Sequence, residues 1–119
     1  MTNSNQFRLW PDAVPTYVKP SGSLVGITIA QRFADFHGSN PWVYDALVKL
    51  AYEARRRGET HTGLKYLFEV LRWYYTAEAV HTDEPFRLNN DFTAHYSRMI
   101  MDRNPDLAGL FRVRRLRAA

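Results

Sequence analysis

From Thr28 onward, apolar side chains recur at intervals of three and four, and the runs open or close on residues suited to helix ends. Ile29, Phe33 and Phe36 form a first stripe behind Thr28 and ahead of Gly38, which predicts a short helix. Asn40 followed by Pro41 predicts a second start, with Asn40 as N-cap and Pro41 at the first helical position, where its missing N–H costs nothing. Val43, Leu47, Leu50, Ala51 and Ala54 then share one face, and Arg55, Arg56 and Arg57 crowd the last turn before Gly58. A third stripe runs through Leu64, Leu67, Phe68, Leu71 and Tyr75, with Thr60 or Thr62 as its cap. Phe92, Tyr96, Met99, Ile100 and Arg103 make a fourth, capped by Asn89, Asn90 and Asp91 and stopped by Asn104 and Pro105.

The periodicity changes at two places. Residues 86–88 alternate briefly, and residues 110–116 alternate in part, which predicts a small two-stranded β element. Pairing the two would put Phe86, Leu88, Phe111 and Val113 on one face and Arg87, Arg112 and Arg114 on the other. Residues 1–26 show no periodicity and are broken by Pro11, Pro15, Pro20, Gly22 and Gly26, so they read as an extended arm whose Phe7, Leu9, Trp10 and Tyr17 dock on the domain or on a partner. The expectation is a mainly α protein: an N-terminal arm over residues 1–26, then a single helical domain over 27–119 with about four helices and a basic C-terminal strand or tail. A small β element beside a helix pair leaves a winged-helix-like arrangement open.

At 119 residues the chain is long enough for one core without staples. It contains no cysteine, which removes disulfides, thiolate metal sites and cysteine nucleophiles. His37, His61, His81 and His95 include no HExxH and no pair four residues apart, so no local metal-ligand set exists. GxxxxGK[ST], GxGxxG and GxSxG are all absent, and Asp83 with Glu84 reads as a solvated turn. The expectation is therefore no cofactor, no metal and no catalytic residue. The N-terminus has no basic segment followed by an apolar one, and no apolar run approaches a membrane span, so a soluble, cytoplasmic protein is expected.

The formal charge is +4, and of the 16 cationic residues only Lys19, Lys49 and Lys65 are lysines. Guanidinium groups bind phosphates and bases bidentately, although arginine codons in a GC-rich genome explain the same bias. Residues 98–119 carry Arg98, Arg103, Arg112, Arg114, Arg115 and Arg117 against Asp102 and Asp106, so the formal excess gathers there. The Arg55–Arg57 triplet suits either a phosphate or the negative end of the helix it closes. Asn89 and Asn90 at the start of the fourth helix offer base-edge chemistry, which makes that helix a candidate recognition helix. The connection before it is longer than the tight turn of a standard helix-turn-helix.

Several short motifs carry a resemblance: Phe36-His37-Gly38-Ser39-Asn40-Pro41-Trp42-Val43-Tyr44, Leu67-Phe68-Glu69-Val70-Leu71-Arg72-Trp73, Phe86-Arg87-Leu88-Asn89-Asn90, Tyr96-Ser97-Arg98 and Asn104-Pro105-Asp106-Leu107. Over about residues 33–117 the chain resembles a group of small bacterial and phage proteins without an established activity. The resemblance implies a phage or prophage context and no catalytic residues. The leading expectation is a non-enzymatic DNA-binding protein, a phage-type regulator or accessory factor, that contacts double-stranded DNA through Arg87, Asn89, Asn90, Arg98, Arg112, Arg114, Arg115 and Arg117. The alternative is an adaptor or inhibitor that binds a host protein through Trp10, Tyr17, Trp42, Trp73 and Tyr74. An enzyme whose site is assembled from distant residues is a third.

Overall fold

The computed structural model describes residues 7–10, 13–20, 26–78 and 86–112. Four helices follow in order: α1 Ile29–Ser39, α2 Pro41–Arg56, α3 Leu64–Glu78 and α4 Thr93–Arg103. A 3-10 turn, Asn90–Phe92, leads into α4, and a second, Pro105–Leu107, follows it. Thr28 starts α1 as a capping box: its hydroxyl accepts from the Gln31 amide, and the Gln31 side chain accepts from the Thr28 amide. Ile29 in the first turn stays exposed, so the buried face begins at Phe33 and Phe36. Gly38 lies inside the helix, and Asn40 is the residue that closes it.

The α2 stripe is buried as its spacing predicts, with Val43, Leu47 and Ala51 fully enclosed. Full burial of a valine or leucine such as Val43 or Leu47 contributes about 1.5–3 kcal/mol, and of the Ala51 methyl about 0.8 kcal/mol. Helix α2 packs on α1, α3 and α4, and α3 packs on α4, so the stripes face one another around Leu47, Phe68, Leu71, Tyr96 and Ile100. The end of α4 is fastened by Asn104, whose amide donates to the Ile100 carbonyl at 2.8 Å and to the Tyr44 hydroxyl at 3.1 Å. Leu107 and Leu110 then enter the core, and Gly109 between them turns the chain at φ 80°, a left-handed conformation that glycine adopts without a Cβ clash.

The N-terminal arm belongs to the same core. Leu9, Trp10 and Tyr17 are buried with the helix residues. Trp10 lies edge-on to Trp42 and Tyr75, with ring centroids 5.8 and 6.4 Å away, and the Tyr17 amide donates to the Tyr75 hydroxyl at 2.9 Å. Asn40 is the clasp. Its carbonyl oxygen accepts from the Val18 amide and its NH2 donates to the Val18 carbonyl, both at 2.7 Å, while Trp42 Nε1 donates to the same oxygen at 3.3 Å. The side chain makes no capping bond to α2, contrary to the role its position before Pro41 suggests. An amide has both a donor and an acceptor, and here it pairs an arm residue as a neighbouring strand would.

The two-stranded element does not form among the described residues. Phe111 bridges Thr62 in parallel, with the Thr62 amide donating to the Leu110 carbonyl at 2.9 Å, and residues 86–88 run without a strand partner. Two interactions draw those residues elsewhere: Phe86 packs against Tyr75, Tyr17 and Trp42, and the Leu88 carbonyl accepts from Arg72. Thr62 thus anchors the C-terminal segment instead of capping α3, whose first turn is closed by the Leu67 amide on the Gly63 carbonyl. Val113 and the rest of the expected strand lie outside the described residues. No helix among the described residues is long and apolar enough to cross a membrane.

Candidate functional site

The asparagines at the start of α4 are parts of the fold. Asn89 is the N-cap of the 3-10 turn, accepting from the Asp91 amide at 2.9 Å. Asn90 accepts from Arg72 at 2.9 Å, and the same guanidinium donates to the Leu88 carbonyl and pairs with Glu69. Arg72 therefore ties α3 to the entry of α4 by a fork that lysine lacks. In sequence it merely flanks an apolar stripe, and its only signal is Glu69 three residues earlier. Within α4, Asp102 and Arg103 alone are exposed and Arg98 is half-buried, so the helix offers little free surface to a groove.

Beside this junction lies a cleft of about 490 Å³. Tyr17, Ile27, Phe36, Phe86, Leu88 and Phe92 supply its apolar walls. Lys19, Arg32, Arg72, Arg87 and Asn89 stand around them, and Asp35 is the carboxylate among the described lining residues. The structure thus brings Arg87 and Asn89 together with three cations that the sequence pattern did not single out. They come from the arm, α1 and α3, which no spacing rule connects.

A second basic region forms where α2 ends. The Arg55 guanidinium donates to the Thr60 carbonyl at 3.5 Å and to the Ala108 carbonyl at 3.3 Å. This holds the arginine triplet beside the segment that leads to the exposed Arg112. Arg56 and Arg57 both bond to Glu53, which is only 11% exposed, and the Arg56 hydrogen bond holds its carboxyl below the usual range. Arg114, Arg115 and Arg117 lie outside the described residues. Along α3 this region sits at the helix start and the cleft near Arg72, about 12 Å further on at 1.5 Å per residue.

Two of the four histidines meet around Phe33. His37 stacks with that ring at 5.9 Å and 4°, and His95 at 5.1 Å and 18°. Among the described residues no group of histidines and carboxylates is placed to hold a metal. His61 lies apart, with Nδ1 3.3 Å from the Thr60 hydroxyl, and His81 is outside the described residues. Burial lowers the His37 pKa, helped by the charge of Arg103 and opposed by that of Asp45, and its Nδ1 is shielded without a partner among the described residues. The unfolded chain therefore takes up a proton near pH 6.5 that the folded chain resists, so stability should fall as pH drops below that value. His37→Phe keeps the stacking ring and removes the titration, and its melting temperature should vary less between pH 7 and 5 than the parent's. An unchanged pH slope in thermal melts would remove His37 from this account.

The aromatic residues expected to face a partner divide sharply. Trp10 and Tyr17 are core, Trp42 and Tyr74 are half-buried, and Trp73 is 67% exposed. Tyr66, 61% exposed and two turns before Trp73 on α3, joins it as a candidate contact that the stripe reading missed. Comparison with protein-family models, with curated proteins and with solved structures finds no match for the chain.

Proposed function

We propose that the protein is a non-enzymatic DNA-binding module that grips the phosphate backbone of a duplex, in keeping with a regulator or accessory factor of a phage or prophage. The observation that carries this reading is the bond from Arg55 to Ala108, which sets the arginine triplet beside the start of the arginine-rich C-terminal segment. Arg55, Arg56, Arg57 and Arg112 then form one cationic end, continued in sequence by Arg114, Arg115 and Arg117. Their charge exceeds that of Glu53, Glu59 and Asp106 nearby by one, before the further arginines of the C-terminal segment are added, and phosphate contacts by such a cluster release counterions. Arg87 and Arg98 extend the contact elsewhere on the surface. Asn89 and Asn90 support the backbone entering α4, so the binding rests on phosphates more than on base edges. A winged-helix arrangement would require a wing built from residues beyond Arg112.

Titration of labelled duplex at two salt concentrations tests the reading. Binding should weaken steeply with salt, and Arg112→Ala should lower the slope of log K against log salt by about one for every duplex sequence. Asn89→Ala should cost about 1 kcal/mol of stability through the lost cap and leave that slope unchanged. The exposed Trp73 and Tyr66 favour a second reading, an adaptor or inhibitor that binds a host protein through α3. Absence of duplex binding at low salt, together with retention of one protein from nuclease-treated lysate that Trp73→Ala releases, would replace the first reading by the second.

A further inference from the structure

We propose that the outer face of α3 is a stacking ledge for single-stranded nucleic acid, with bases on Tyr66 and Trp73 and phosphates on the arginines that close α2. The inference rests on the cationic end proposed above as a phosphate grip, and it adds a class of ligand that a duplex does not replace. Tyr66 is 61% exposed and Trp73 67%, more than any other large apolar side chain among the described residues. They share one face of the helix, two turns and about 10.5 Å apart at 1.5 Å per residue. Tyr74 meets the Trp73 ring edge-on at 5.3 Å and 83°, which restrains the indole before any ligand arrives.

The ledge opens onto guanidinium groups at its start. Arg57 and Tyr66 line one shallow depression of about 150 Å³, together with the half-buried Val70 and Tyr74. The Arg57 Nε donates to Glu53 at 3.2 Å, yet its side chain stays 67% exposed and that of Arg56 62%. The exposed Lys65 stands beside Tyr66 in sequence. Arg55, Arg56, Arg57, Lys65 and Arg112 outnumber Glu53, Glu59 and Asp106 at this end, and Glu69, between the two rings, is paired with Arg72. Outside the described residues the sequence adds three arginines over 113–119 and two carboxylates over 79–85. Charge is depleted at the centre of a protein–protein interface. Aromatic rings beside cations that follow a backbone are instead the make-up of a single-strand site, because every base has a face to stack. In a duplex both faces of each base are covered by its neighbours, so rings on a helix surface find nothing to stack on. An unpaired strand can splay its bases to meet rings this far apart.

Titration of the full chain with a labelled oligothymidylate, an abasic oligomer of the same length and a duplex of the same length, at low salt, tests the proposal. The oligothymidylate should bind about tenfold or more tightly than the abasic oligomer, which keeps the phosphates and lacks the bases. Trp73→Ala and Tyr66→Ala should each weaken the oligothymidylate about tenfold and leave the other two ligands and the melting temperature unchanged. Trp73→Phe should recover part of the loss. Tryptophan emission should be quenched by the oligothymidylate and not by the abasic oligomer, and Trp73→Phe should remove the quenching. Equal affinity for the oligothymidylate and the abasic oligomer, or no effect of Trp73→Ala, would overturn the ledge, while duplex binding weakened by Arg112→Ala would leave the phosphate grip standing. Binding of the oligothymidylate through Trp73 without duplex binding would support the ledge and remove the duplex reading. No binding of any of the three would overturn both. Retention of a lysate protein that Trp73→Ala releases, with no binding of the oligothymidylate, would overturn the ledge in favour of a protein partner.

Discussion

Tyr96→Ala is expected to cost about 4 kcal/mol, a large share of the roughly 5–15 kcal/mol that holds a domain of this size together. Tyr96 is fully buried on α4 and meets Phe33 edge-on at 4.7 Å, Phe68 at 6.0 Å and His37 at 6.2 Å. Removing the ring empties the space where α1, α3 and α4 meet, and rigid helices close over such a void only in part. The hydroxyl acts in the opposite direction. It is buried with no hydrogen-bond partner among the described residues, and burial drives its pKa far above the ordinary phenol range. Tyr96→Phe keeps the packing and removes the unsatisfied group, so it should be neutral or stabilise by about 1 kcal/mol. Denaturant unfolding of the two variants separates ring from hydroxyl. A Phe variant less stable than the parent by more than about 1 kcal/mol would mean that the hydroxyl has a partner, such as an ordered water.

The second large effect is expected at Asn40. Asn40→Ala should destabilise by about 2–3 kcal/mol, because it strands the Val18 amide and carbonyl and the Trp42 N–H, each in a partly buried setting. The loss has a location as well as a size. The clasp joins the arm to the junction of α1 and α2, so hydrogen exchange should accelerate at Tyr17 and Val18 well before the α2 and α3 amides respond. Asn40→Asp tests the two halves separately: the carboxylate still accepts from Val18 and Trp42, but it turns a donor into an acceptor facing the Val18 carbonyl. It should therefore recover little of the stability lost in the alanine variant. If Asn40→Ala costs less than about 1 kcal/mol, the residue is only a weak helix start and the arm is held by its aromatic contacts.

The parts legible in the sequence are those that depend on neighbours along the chain. The stripes of α2 and α3 repeat at the helical period and are buried as that repeat implies, whereas on α4 Tyr96 and Ile100 are buried, Met99 is half-buried and Arg103 at the end of the expected stripe is exposed. The start of α1 at Thr28 and the stop at Asn104 were legible for the same reason, since each is set within one turn, although the capping box at Thr28 was not singled out. Residues 86–88 and 110–112 misled because brief alternation of apolar and charged side chains is also what a chain shows when single residues dip into a core. Phe86, Leu88, Leu110 and Phe111 are inward-facing for that reason, and their backbone groups find Arg72 and Thr62 instead of each other.

By itself the sequence determined the helical class, the helix order, the absence of thiol chemistry and the concentration of arginine toward the C-terminus, because propensity, capping and charge are properties of short segments. The tertiary structure alone decided that Asn40 clasps the arm, that Arg72 organises the entry to α4, that the arginine triplet lies beside residue 108, and that four cations from separate segments surround one apolar cleft. Each of those depends on a hydrogen bond or contact between residues far apart in the chain, whose partner is fixed only when the apolar stripes have packed and the helices have taken their mutual positions.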